Sequence, residues 1–122
     1  RPNLARSDLD RLLGELAEDP VGGLLAVPAR DTLKRSRPDG RVLETVDRSH
    51  IWQAFTPQMF RLGALREALG AALAGRAAIT DEASAMELAG LAPSLVEGRA
   101  DNLKVTRPED LEWLRLHWLQ KS

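Results

Sequence analysis

The stretch Gly22-Gly23-Leu24-Leu25-Ala26-Val27 constrains the fold more than any other part of this chain. It is continuously apolar, short and led by glycines, which is the pattern of a strand buried on both faces. Such a strand belongs in a parallel-type sheet layered with helices, so an α/β domain is predicted. The flanking sequence supplies the helices. Leu9, Leu12, Leu13, Leu16 and Ala17 share one helical face, predicting an amphipathic helix over residues 7–18 that is capped by Ser7 and ends before Pro20. Leu62, Leu65, Leu69 and Leu73 step along a second helix closed by Gly75, and Thr80-Asp81-Glu82 reads as a threonine cap with two acids in the first turn of a third. Further strands are predicted over 51–55, stopping at Thr56-Pro57, over 94–97 and over 103–105. Thr106-Arg107-Pro108-Glu109 reads as a capping box opening a terminal helix, with Leu111, Leu114 and Trp118 along its packed face.

From Pro28 to His50 the pattern changes. Charged and apolar residues alternate through Asp31-Thr32-Leu33-Lys34-Arg35 and Arg41-Val42-Leu43-Glu44-Thr45-Val46, on either side of Pro38-Asp39-Gly40. These arms are too polar for core strands, so residues 28–50 are predicted to form a protruding β-arm. An isolated two-stranded ribbon is not stable in water, and a partner subunit is the expected cover. For Lys34, Arg35, Arg37 and Arg41 a solvated charged face is the preferred reading.

Several chemistries are poorly supported. The 122 residues carry 17 basic and 18 acidic side chains, a formal net charge of -1, so nothing attracts nucleic acid in general. There is no cysteine to make a disulfide, a thiolate nucleophile or a thiolate metal site. No apolar run reaches the roughly 18 residues of a membrane span, and a cytoplasmic protein is expected. His50 and His117 have no partner at metal-ligand spacing, and no Gly-x-Ser-x-Gly elbow is present. Asp81 and Glu82 are adjacent and diverge on a helix, while Gly22-Gly23 lacks the spacing of a phosphate loop.

Anion recognition fares better. In α/β folds ligands collect where parallel strands end, which selects Thr56, Thr80 and Lys104. A lysine ammonium acts as a point charge on phosphate, threonine hydroxyls and helix N-terminal amides are neutral phosphate ligands, and arginine adds bidentate recognition. Arg1, Thr32, Arg48, Thr56, Thr80 and Lys104 therefore form a candidate cradle for a phosphorylated substrate, provided the fold gathers them. A second reading stands beside it: Thr80 and Thr106 as plain helix caps, and Lys104 as a solvated surface charge.

Five blocks in order carry a family resemblance: Gly22 to Arg35, Thr45-Val46-Asp47-Arg48, Trp52 to Gln58, Ile79 to Ala85, and Gly98 to Asp110. Together they resemble the C-terminal half of 2-C-methyl-D-erythritol 4-phosphate cytidylyltransferases. The resemblance implies the C-terminal half of a Rossmann-like nucleotidyltransferase fold and magnesium-dependent transfer of a cytidylyl group from CTP to methylerythritol phosphate, in non-mevalonate isoprenoid biosynthesis. It further implies that Thr32 and Arg48 lie on the β-arm of a homodimer and reach the acceptor site of the other subunit. Thr56, Thr80 and Lys104 match further substrate positions, Lys104 also meeting nucleotide phosphates, and Arg1 matches the arginine closing an Asp-Ala-Ala-Arg-Pro block. The family's N-terminal half, with its glycine-rich CTP loop and magnesium aspartate, has no counterpart in this sequence, which opens without methionine and reads as part of a longer polypeptide. Alone it is expected to lack CTP binding and catalysis, and its sheet to lack strands flanking Val21 to Val27. The alternative is a non-catalytic oligomerisation or ligand-binding module derived from that fold.

Overall fold

The structure is a computed structural model that describes residues 1–121. Its elements follow in the order α1 (Arg6–Leu16), β1 (Gly22–Pro28), β2 (Leu33–Ser36), β3 (Val42–Val46), β4 (Trp52–Phe60), α2 (Leu62–Ala74), α3 (Glu82–Leu88), β5 (Ser94–Glu97) and α4 (Pro108–Lys121). The α/β class is as the apolar run predicts.

β1 is the central strand of a three-stranded mixed sheet ordered β4-β1-β5, parallel to β5 and antiparallel to β4. Both its edges are filled, which corrects the expectation of missing flanking strands: β4 and β5, taken from later in the chain, supply them. Residues Gly22 to Val27 are all buried. Alternation along β1 sends Leu25 toward α1, where it joins Leu12, Leu16 and Val96 in one core cluster. Leu24 lies on the other face with Ala83 of α3 and Leu91. A second cluster, Ala68, Ala85 and Met86, locks α2 to α3 and takes in Val21 and Phe60 at the edge of the sheet. The glycines have a steric reason: a β-carbon on Gly23 would run into the Ser94 carbonyl, and one on Gly22 into that of Met59.

Five local expectations change. The cap of α1 is Ala5 with no side-chain bond, not Ser7, which lies inside the first turn; its neighbour Asp8 is buried and accepts the Arg99 amide at 2.8 Å. β4 does not stop at Thr56-Pro57 but runs on to Phe60; Phe55, Thr56 and Pro57 together face Leu25 in a bulge, which accommodates a proline that cannot donate to the ladder. Residues 103–105 are not a strand; the main sheet consists of β4, β1 and β5. At the head of α4 it is Asp110, not Glu109, that accepts from the Thr106 hydroxyl and from the amides of Thr106 and Arg107, each at 3.1 Å. Of the face assigned to that helix only Leu114 is buried, while Leu111 and Trp118 are exposed.

β2 and β3 pair only with each other, as an antiparallel ribbon outside the main sheet. Its base is closed by Ala29 N–H to Ile51 O at 2.9 Å and by Arg48 Nη1 to Ala29 O at 3.0 Å. Cross-strand contacts occupy part of its charge, Arg35 Nε to Glu44 at 2.8 Å and Lys34 Nζ to Thr45 Oγ1 at 2.7 Å. Val42 and Leu43 stand exposed near the tip.

Candidate functional site

The β4 bulge forms one wall of a cleft. Ala54, Phe55, Thr56 and Gln58 line it from β4, Thr80, Asp81 and Glu82 from the start of α3, Lys104 from the segment after β5, and Arg1 from the N-terminal residues. Its volume is about 430 Å³. Four of the six residues selected from the sequence, Arg1, Thr56, Thr80 and Lys104, are thereby brought to one place. The other two, Thr32 and Arg48, do not line this cleft: Thr32 precedes β2 and Arg48 follows β3, at the base of the arm. The strand-end rule found Thr56 for an incomplete reason, since it stands inside an antiparallel strand and is presented by the bulge.

Each cleft residue is held by the local chain. The Arg1 guanidinium stacks on Phe55 with its central carbon 4.5 Å from the ring centroid, donates through Nη1 to Asn102 O at 2.6 Å, and reaches Ala54 O at 3.5 Å. Its Nε is buried and has no hydrogen-bond partner among the described residues. Burial pushes the guanidinium below its ordinary value, with no effect near neutrality because arginine stays charged there. Thr56, Thr80 and Lys104 are exposed, so two hydroxyls and an ammonium face solvent at the same mouth.

The acids opposite them are differently employed. Asp81, not Thr80, caps α3, accepting from Ser84 N–H at 2.8 Å in a reciprocal box with the Ser84 hydroxyl. Its second oxygen accepts from Gln58 Nε2 at 2.9 Å, and Gln58 Oε1 accepts from Ala83 N–H at 3.1 Å, so one glutamine pins the helix start to β4. Burial pushes the Asp81 carboxyl up, but the hydrogen bonds from Gln58 and Ser84 together outweigh it and hold it below the usual carboxylate value. Thr80 is thereby relieved of capping and its backbone N–H donates to Ser84 Oγ at 3.1 Å. No group of three or more His, Cys, Asp or Glu among the described residues could hold a metal ion, so this cleft offers magnesium no ready-made ligand cluster. An anion is suited by its two cations and two hydroxyls, which stand beside two acids, Asp81 committed to the helix cap and Glu82 in the first turn of α3.

Sequence reasoning missed Asn102, Gln58, Asp8 and Asn3, all of which tie segments together from within. Asn3 donates to Asp101 O at 2.7 Å and accepts from Trp118 Nε1 at 3.2 Å, and Asp8 anchors Arg99. The available signal was polarity between apolar neighbours, present at Asn3 between Pro2 and Leu4 and at Gln58 between Pro57 and Met59, whereas Asp8 after Ser7 and Asn102 after Asp101 carry no such signal.

Comparison with known proteins bears on this arrangement. The family model described as 2-C-methyl-D-erythritol 4-phosphate cytidylyltransferase matches residues 1–116. The chain is 77% identical over 118 residues to the protein of that name from Pseudomonas fluorescens, covering 97% of this chain and 50% of the relative. To the one from Pseudomonas savastanoi it is 79% identical over 115 residues, covering 94% and 49%. The solved Francisella tularensis 2-C-methyl-D-erythritol 4-phosphate cytidylyltransferase superposes with a TM-score of 0.86 at 35% identity, covering 95% of this chain and 54% of that one. The chain thus spans about half the length of the curated relatives it matches. With a match over nearly its whole length, and an anion-suited cleft built from the blocks that carry the resemblance, this chain belongs to the 2-C-methyl-D-erythritol 4-phosphate cytidylyltransferase family.

Proposed function

We propose that this chain is the C-terminal part of an enzyme that transfers a cytidylyl group from CTP to 2-C-methyl-D-erythritol 4-phosphate, releasing pyrophosphate, and that its cleft receives the acceptor phosphate. The observation that carries the reading is the convergence of Arg1, Thr56, Thr80 and Lys104, drawn from four segments far apart in sequence, on one cleft. In-line attack by the acceptor phosphate on the α-phosphorus needs no covalent enzyme intermediate; it needs two polyanions held together while charge develops between them. Arg1 and Lys104 neutralise that charge, and the Thr56 and Thr80 hydroxyls orient the acceptor oxygens. Lys104, on the flexible stem of an exposed residue, spans toward the nucleotide phosphates. CTP binding and any magnesium ligands fall to other parts of the polypeptide, and the reaction is set in the cytoplasm, where CTP is available.

The arm belongs to the same reading. An exposed ribbon carrying Val42 and Leu43 calls for a cover, and a second copy of the chain in a symmetric dimer provides it. Thr32 and Arg48, outside the cleft of their own chain, then serve the cleft of the partner. The test is pyrophosphate release by the full-length protein. Release that requires both CTP and methylerythritol phosphate is the expected result; release without the acceptor, or none with both, rejects the reading.

A further inference from the structure

We propose that Asn102 is the positioning residue of the acceptor cleft, holding its two sides in register without touching substrate; the proposal rests on the functional reading above. Asn102 is 1% exposed and is the one polar member of the largest fully buried side chains, beside Leu12, Leu25, Met86 and Val96. Its amide Nδ2 donates to Thr56 O at 3.0 Å, which fixes the bulge that presents the Thr56 hydroxyl. Its backbone carbonyl accepts the 2.6 Å bond from Arg1 Nη1, which fixes the guanidinium over Phe55. Lys104 follows two residues later. One residue thus joins segments 46 and 101 positions away in the chain and sets the three groups that close on the anion.

The same side chain carries an unbalanced group. Because Thr56 O can only accept, the amide must present its NH2 there, and Oδ1 is left buried with no partner among the described residues. A buried acceptor without a donor lowers stability, and a leucine would fill the same space without one. The amide donor therefore has a use other than filling volume, and its partner among the described residues is the carbonyl that shapes the cleft wall.

The test uses Asn102→Leu, which keeps the bulk, and Asn102→Asp, which keeps the shape, each losing the N–H donor in the full-length enzyme. Positioning predicts that KM for methylerythritol phosphate rises about tenfold or more in both variants, with KM for CTP within about twofold and the melting temperature of Asn102→Leu nearly unchanged, while the buried carboxylate of Asn102→Asp lowers its own. Activity within about twofold of the unsubstituted enzyme for either variant overturns the assignment. So does loss of folding in both, or an equal rise in both KM values with a lowered melting temperature, which would make Asn102 a stability residue alone. Should the unsubstituted enzyme show no transfer dependent on both substrates, the functional reading falls while positioning is still decided by amide exchange. Faster exchange confined to residues near Thr56 and Arg1 in Asn102→Leu upholds it, and unchanged or globally faster exchange overturns it.

Discussion

Lys104 and Asp81 face the same cleft with opposite duties. Lys104 is exposed and makes neither an ion pair nor a side-chain hydrogen bond among the described residues, so its ammonium is available to an anion and its removal leaves no buried hole. Lys104→Ala is expected to lower kcat/KM about a hundredfold, the usual scale for losing one electrostatic contact to a transition state, with the melting temperature unchanged. Steady-state kinetics and a thermal melt on the full-length protein check both halves of that statement. Asp81 instead serves the fold. Its carboxyl lies below the ordinary 3.8, so the stabilisation it gives is complete above that value and is lost as pH falls through the lowered one. Asp81→Ala should cost about 1 kcal/mol at neutral pH, as other cap removals do, and the gap should close under acid conditions. Urea unfolding of both proteins at neutral and acid pH reads the difference; a gap that widens on acidification contradicts the assignment.

Among the elements, β1 was the most legible and 103–105 the least. A strand covered on both faces has to be apolar at every position, and Gly22 to Val27 is, whereas Leu103-Lys104-Val105 copies the alternation of a half-buried strand over only three residues and joins no sheet. Caps were legible as places but not as residues. Thr80 and Thr106 mark two helix starts, yet Asp81 is the cap of α3, and at α4 it is Asp110, inside the first turn, that reaches back to the amides of Thr106 and Arg107. The glycines of β1 were read as a sign of burial and turn out to mark close backbone approach. Gly23→Ala should therefore push β5 from β1 and cost about 2 kcal/mol or more, measured by urea unfolding, while Gly70→Ala, where a β-carbon meets nothing within 4 Å, should be neutral or stabilising.

At the scale of the whole molecule, the site residues were legible as types at spacings, and their convergence was not. Nothing in the sequence reveals that a bulge in β4 turns Thr56 toward Thr80, or that Asn102 binds the carbonyl behind it, because such contacts depend on register and on buried polar bonds. The arm poses the corresponding question about assembly. Val42→Asp with Leu43→Asp should shift the full-length protein from dimer to monomer in sedimentation at micromolar concentration, and should lower activity if Thr32 and Arg48 act across the interface. The central claim, that the cleft between the β4 bulge and the start of α3 receives the acceptor phosphate, is tested most directly by a crystal structure of the full-length protein with 2-C-methyl-D-erythritol 4-phosphate bound. The account predicts the phosphate within hydrogen-bonding reach, about 3 Å, of Arg1, Lys104 and at least one of the Thr56 and Thr80 hydroxyls. A phosphate bound elsewhere, with this cleft left to solvent, would contradict it.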